Sequence, residues 1–197
     1  DRVSLTLGLR HTRDEKRVRD RNLLVNSLLA GAPVPTPLGS TTAAGLPDYR
    51  TDQETFSATT GRFVVDWQVG DSTMAYASYS RGYKGGGFNP PFDPALFPNA
   101  TRTFEPETIN AYEIGTKSLL ANDSLTLNLS ASYYDYKGLQ IARIVNRTSF
   151  NENVDAEITG LEAEFVWEPT DNLVVNGMVS LLNTEIGNVA VVDPRDP

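Results

Sequence analysis

The sequence predicts an all-β chain: a segment of an antiparallel, up-and-down transmembrane β-barrel of about seven strands, with short turns at one end and long loops at the other. Three observations carry this. Between Ser124 and Tyr136, Leu125, Leu127, Leu129, Ala131 and Tyr133 alternate with Thr126, Asn128, Ser130, Ser132 and Tyr134; period two over that length suits lipid on one side and water on the other. The connections between such segments sort strictly by length. The aromatic residues gather toward strand ends.

The first strand is expected from Val3 to Arg13, where Val3, Leu5, Leu7 and Leu9 alternate with small or polar residues. Asp14 to Glu54 follows as a long loop. Around its start, Arg13, Lys16, Arg17, Arg19 and Arg21 mix with Asp14, Glu15 and Asp20, a mixed-sign surface for water or anionic lipopolysaccharide. Leu23 to Leu29 suggests a short helix, and the Pro-rich and Gly/Ser/Thr-rich run Ala32 to Gly45 suggests irregular chain. The second strand, Thr55 to Gln68, turns through Val69-Gly70-Asp71-Ser72 into the third, Thr73 to Tyr83. In the third, Ala75, Ala77 and Tyr79 compete with Met74 and Tyr76 for the apolar face, and alternation leaves the register open.

Lys84 to Pro106 is the second long loop, and its Gly85-Gly86-Gly87 run suggests flexibility. Those glycines lack the spacing and the Lys-Ser or Lys-Thr of a phosphate loop. The fourth strand, Glu107 to Leu119, turns through Leu120-Ala121-Asn122-Asp123 into the fifth, Ser124 to Tyr136. Lys137 to Asn153 is the third long loop. The sixth strand, Val154 to Glu168, turns through Pro169-Thr170-Asp171-Asn172 into the seventh, Leu173 to Leu182. Asp193-Pro194-Arg195-Asp196-Pro197 looks like the start of another loop.

Short and long connections therefore alternate, which in a meander gathers all the short turns at one end. A soluble sandwich has no reason to sort its loops this way. Trp67 and Trp167 precede short turns and Tyr76 follows one, while Tyr79, Tyr83, Tyr133, Tyr134 and Tyr136 stand toward the long-loop end; two interfacial belts are expected. Glu113, Lys117, Glu162 and Glu164 alternate with apolar neighbours. A basic residue on the lipid face would cost roughly 2 to 4 kcal/mol near the midplane, and an acidic one less, so these charges are expected to point inward.

Composition bounds the function. The 197 residues are 40% hydrophobic, with a mean hydropathy of -0.31 and no apolar run long enough for a membrane helix. Cysteine is absent, which removes disulfides, thiol nucleophiles and thiolate metal sites. A net charge of -8 argues against nucleic-acid binding. No cofactor or metal site is expected. His11 is the single histidine, without a G-x-S-x-G nucleophile turn anywhere. Glu162 and Glu164 would stand about 7 Å apart by strand rise, a glycosidase-like separation, but as lumen charges they imply no enzyme.

Four stretches carry a resemblance: YASYSRGYKGGGFN from Tyr76, FEPETINAYEIGTKS from Phe104, LNLSASYYDYKGLQI from Leu127 and ITGLEAEFVW from Ile158. In this order they resemble the barrel of TonB-dependent outer-membrane receptors, where an aromatic strand ends in an Arg-Gly-Tyr-Lys motif and a Pro-Glu start leads into Tyr-Glu-Ile-Gly. The resemblance implies a bacterial outer-membrane location, a barrel of about twenty-two strands, a plug domain and a box that engages TonB. It also implies active uptake of scarce ligands such as ferric siderophores, cobalamin or certain glycans. Residues 1–197 would be a partial barrel domain with no plug, TonB box or closing C-terminal strand, and Asp1-Arg2-Val3, which enters a strand pattern at once, suggests a piece of a longer chain. Cut from its barrel, the chain is expected to aggregate in water.

The expected partners are lipid, lipopolysaccharide, the TonB complex through a region outside these residues, and a small ligand, with a ferric chelate as the default. Candidate ligand contacts lie at the long-loop end: Arg81, Tyr83, Lys84, Tyr134, Tyr136, Gln140 and Arg143. Arg and Lys can pair with an anionic chelate and Tyr can stack on its rings. A passive porin is the alternative, and a soluble β-sandwich binding module stands behind it.

Overall fold

The computed structural model describes residues 2–20, 23–25, 35–37, 50–90, 99–145 and 148–188. Among them there is no helix. The strands are β1 (Val3–Asp20), β2 (Leu23–Val25), β3 (Pro35–Pro37), β4 (Arg50–Gly70), β5 (Thr73–Lys84), β6 (Gly87–Phe88), β7 (Thr103–Phe104), β8 (Glu107–Leu120), β9 (Leu125–Val145), β10 (Thr148–Thr170) and β11 (Leu173–Ile186). Seven of them form one antiparallel meander in the order β1-β4-β5-β8-β9-β10-β11. It is open, with β1 and β11 as its edges. The two small pairs, β2-β3 and β6-β7, lie in the first two long connections.

Register sorts the two faces. Leu5, Val65, Ala77, Ile114, Ala131, Leu161 and Leu181 form one continuous cross-strand row. The row to one side joins Leu7, Phe63, Tyr79, Tyr112, Tyr133 and Thr159. This apolar face is bare: Leu7 and Leu9 are 75% and 77% exposed. The only buried hydrophobic residues among those described are Val64, Phe150, Val154 and Ala156, far too few for a soluble core, so the apolar face is left uncovered by the described residues, as suits the outer face of a barrel wall. Along β9, Leu125 to Tyr133 covers about 26 Å at ~3.3 Å per residue, about 20 Å along the normal at the ~40° tilt of barrel strands, most of an apolar band about 25 Å tall flanked by girdles.

The same register settles β5. Ala75, Ala77 and Tyr79 lie on the apolar face, and Met74, Tyr76 and Ser78 on the polar one. The aromatic belts are narrower than the sequence suggests. Trp67 and Trp167 face outward near the short turns, and Tyr79, Tyr112 and Tyr133 form the outer girdle, with ring centroids 5.1 Å and 6.2 Å apart. The Tyr79 hydroxyl donates to Asn110 Oδ1 (3.0 Å), as suits an amphipathic ring at a water boundary. Tyr76, Tyr134 and Tyr136 stand on the opposite, polar face and belong to no belt.

The three short turns hold, but the strands run further than expected. β1 and β4 stay paired out to Asp20 and Arg50, so much of the first loop is sheet. Residues 23–25 are strand rather than helix; the rest of the expected helix, most of the Pro/Gly-rich run and the C-terminal tail lie outside the described residues. The third loop is corrected outright. Lys137 to Asn153 is mostly hairpin, with β9 and β10 paired up to Val145 and Thr148. β-Branched and aliphatic residues such as Ile141, Ile144 and Val145 extend the ladder. A bulge opens it once, where Lys137 and Gly138 oppose Asp155. Gly138 takes φ +65° there, and its N–H donates to Asp155 Oδ1 (3.0 Å).

Candidate functional site

The polar face carries two neighbourhoods. Nearer the short turns, Tyr76, Glu113, Lys117, Asn128, Glu162 and Glu164 line a shallow cavity. The Tyr76 hydroxyl donates to Glu113 Oε1 (2.8 Å), Asn128 Nδ2 to Glu164 Oε2 (3.3 Å) and Ser180 Oγ to Glu162 Oε1 (3.2 Å). The expected inward charges therefore stand on one face and share partners across β5, β8, β9, β10 and β11. A side chain at Gly115 would meet the Tyr76 ring at 2.6 Å, so glycine is what lets that ring lie over β8.

Nearer the long loops, the segment between β5 and β8 is strapped across the sheet. Lys16 Nζ on β1 donates to the Gly86 carbonyl (2.6 Å). From β9, Gln140 Nε2 donates to the carbonyls of Gly85 and Glu105 (both 3.1 Å), and its backbone N–H donates to Glu107 Oε2 (2.9 Å). From β10, Asn153 Nδ2 donates to the carbonyls of Glu105 (2.9 Å) and Gly138 (2.7 Å), while its Oδ1 accepts the Glu105 N–H (2.7 Å). Asn89, 2% exposed, donates to the carbonyls of Thr101 and Asn151 (both 3.0 Å) and accepts the Asn151 N–H (2.7 Å). The glycine run is thus packed rather than flexible. A Cβ at Gly86 would stand 2.4 Å from the Phe104 carbonyl oxygen and 2.7 Å from the Phe56 ring.

Each sequence candidate now has a place. Tyr134 and Tyr136 project from the polar face of β9 opposite Ala111 and Ile109. Lys84 is an exposed partner of Glu107 at 3.7 Å. The two polar hydrogens of Gln140 are held by the strap. Arg143 pairs with Glu152 across the β9-β10 hairpin. Tyr83 stands where β5 has parted from β4, in a cleft with Arg10, Thr12 and Asp14; burial and then the Asp14 carboxylate push its phenol pKa up. Arg81 stands apart from the rest, on the outward row with Gly61 and Asn110.

The strap residues Lys16, Asn89 and Asn153 escaped sequence reasoning. The signal was Asn151-x-Asn153, two amides at strand spacing in a segment read as loop. At the bulge, Lys137 bridges Asp135 (3.1 Å) and Asp155 (3.4 Å). Asp135 first, then Asp155, raise its ammonium pKa. The Gly138 N–H is the main cause that lowers the Asp155 carboxyl pKa.

Known structures share this architecture. The ferric yersiniabactin uptake receptor FyuA of Yersinia pestis aligns over 95% of this chain and 25% of its own, with 20% identity and a TM-score of 0.68. The ferric-catecholate import receptor Fiu of E. coli K12 aligns over 94% and 26%, with 15% identity and a TM-score of 0.60. The copper transporter OprC aligns over 94% and 27%, with 20% identity and a TM-score of 0.59. At these identities the likeness speaks for the fold, and the chain spans about a quarter of each. The family model described as TonB dependent receptor-like, beta-barrel matches residues 1–193. With its bare apolar face and inward charges, the chain belongs to that TonB-dependent receptor-like β-barrel family of the bacterial outer membrane.

Proposed function

We propose that this chain is part of the barrel wall of a receptor for TonB-energised uptake of a ferric siderophore. The observation that supports it most is the strapped, polar upper wall: a fixed ledge beside inward Tyr134 and Tyr136, in a chain whose family is one of TonB-dependent receptors. FyuA, Fiu and the siderophore receptor PiuA from Acinetobacter baumannii make an iron chelate the first ligand to test, and OprC makes copper the second. Tyr134, Tyr136 and Lys84 are the contacts we carry forward, the rings for stacking and the ammonium for an anionic chelate. Gln140 and Arg143 shape the wall around them. In this reading the domain is partial: the plug, the TonB-engaging segment and the closing strands lie outside residues 1–197. Lipid and lipopolysaccharide surround the outer face.

The test is uptake by the complete receptor in cells with and without TonB, using labelled ferric chelates and copper. Uptake of a ferric chelate that requires TonB is expected, with affinity lowered in Tyr134→Ala and Tyr136→Ala. TonB-independent flux would overturn the reading in favour of a passive porin, and TonB-dependent copper uptake without iron would replace the ligand.

A further inference from the structure

Resting on the uptake reading above, we propose that the inward face of this wall is a two-ended site for one ligand. Arg10 and Arg62, at the β1-β4 end, take a carboxylate of a ferric chelate whose aryl ring lies on Tyr134 and Tyr136 at the β9 end. Distance along the chain hides this pairing, and register reveals it. Arg62, Ser80, Ala111, Tyr134 and Ile158 form one cross-strand row on the polar face. In the next row toward the long loops, Arg10 pairs with Thr60, and Gly82, Ile109, Tyr136 and Ala156 run from β5 to β10. Both arginines and both tyrosines therefore stand at one height of the wall.

The basic end is suited to an anion. Arg10 opposes Thr60 and Arg62 opposes Gly8, so the two arginines are diagonal neighbours, about 7–8 Å apart across the strand pair. Both are exposed, and among the described residues neither makes a hydrogen bond or an ion pair. The nearest acids of β1, β4 and β5 on that face, Asp14 and Asp66, stand two rows away on either side. Like charges so placed repel. A carboxylate held between the two guanidinium groups removes the repulsion and meets paired N–H donors. Thr12 and Thr60, which line a cleft with Arg10, add hydroxyl donors beside it.

The other end is oily where a water-facing wall has no need to be. Beside Tyr134 and Tyr136 stand Ile158 and, from β11, Leu182 and Ile186, 66% and 58% exposed on the same face, a surface for an aryl ring rather than for water. Between the two ends the floor is low. Ser80, Gly82 and Ala111 present little bulk, and a Cβ at Gly82 would stand 2.6 Å from Ile109 Cγ2. Arg62 and Tyr134 are three strand spacings apart, about 14 Å at ~4.8 Å each. A ligand that touches both must carry its carboxylate and its aryl ring at opposite ends, and a compact hydrophilic chelate reaches one end only.

The experiment measures equilibrium binding of radio-iron-labelled probes to the complete receptor in mild detergent. The probes share a linear ferric trihydroxamate core: the first has a phenyl ring at one end and a carboxylate at the other, the second is its methyl ester, and the third carries methyl in place of phenyl. The variants are R10Q/R62Q and Y134A/Y136A, with Arg81→Gln on the outward face as the control and heat-modifiable migration as the check on folding. Wild type is expected to prefer acid over ester, and phenyl over methyl, by about ten-fold each. R10Q/R62Q should lose the first preference and keep the second, Y134A/Y136A should do the reverse, and Arg81→Gln should keep both. Equal binding of acid and ester by wild type, as when the guanidinium groups are already paired with another part of the receptor, would overturn the site. So would no binding of the acid probe, or loss of the acid preference in Arg81→Gln. TonB-dependent uptake of ferric chelates, measured in cells on the same variants, reports on the transport reading separately: uptake that persists without the acid preference sinks this site alone.

Discussion

Asn89 is the residue on which the strap turns. Its amide serves Thr101 and both backbone groups of Asn151, 62 positions away, in a place water does not reach. Asn89→Ala would leave those groups unpaired, at about 1–3 kcal/mol for a buried group. The expected outcome is about 2–4 kcal/mol lost from the assembled barrel in urea unfolding, with new protease cleavage in the Gly85–Pro106 segment. Asn89→Asp, which faces two carbonyls with a carboxylate, should be no better. At the other end of the sheet, Ala121, Asn122 and Asp123 all take positive φ, 54°, 54° and 67°. The left-handed region costs an L-residue roughly 1–2 kcal/mol, least for Asn and Asp. Ala121→Gly should therefore stabilise the barrel by about 0.5–1 kcal/mol after the extra chain entropy of glycine, as read from the same unfolding midpoint.

At the scale of the element, the β9-β10 hairpin joins lumen wall to extracellular projection at one bulge. Asp155 holds that bulge by accepting the Gly138 N–H and pairing with Lys137. Because the Asp155 pKa is lowered, its contribution is present above the ordinary carboxylate range and is lost as pH falls through the depressed value. The Lys137 pKa is raised, so its contribution is present below the ordinary amine range and is lost only as pH rises through the raised value. The bulge is thus held across neutral pH. In a glycine-labelled barrel, the Gly138 amide NMR shift should move with a midpoint below that of a free carboxylate, and Asp155→Asn should abolish the titration. A Gly138 shift that titrates like a free Asp would sink this account.

At the scale of the molecule, the decisive fact is the mismatch between apolar surface and core. Rows of exposed leucine, valine and aromatic residues cover one face, while among the described residues four hydrophobic ones are buried and β1 and β11 each present an unpaired edge. Residues 1–197 expressed alone should sediment as aggregate from water and enter solution only with detergent or lipid. Sedimentation velocity decides it, and a monodisperse soluble monomer would refute the lipid-facing assignment. In bilayers, Trp67 and Trp167 should be quenched by lipids brominated near the headgroup in preference to those brominated near the chain terminus.

The sequence by itself determined seven strands, three tight turns and which residues of most strands meet lipid. These are local: alternation is a property of consecutive residues, and turns are written in Gly, Asn, Asp and Pro. Tertiary structure decided what depends on partners far along the chain. β5 had apolar residues at both parities, so only its neighbours Phe63 and Tyr112 fixed its face. Lys137 to Asn153 lacks a strand's clean period because, above the membrane, its hairpin faces no lipid and needs no oily row. The strap joins Lys16 to Gly86 across 70 positions, which no local pattern encodes. The charged end of β1 was illegible for the same reason: charges of mixed sign divide between two faces only once pairing has fixed which way each one points.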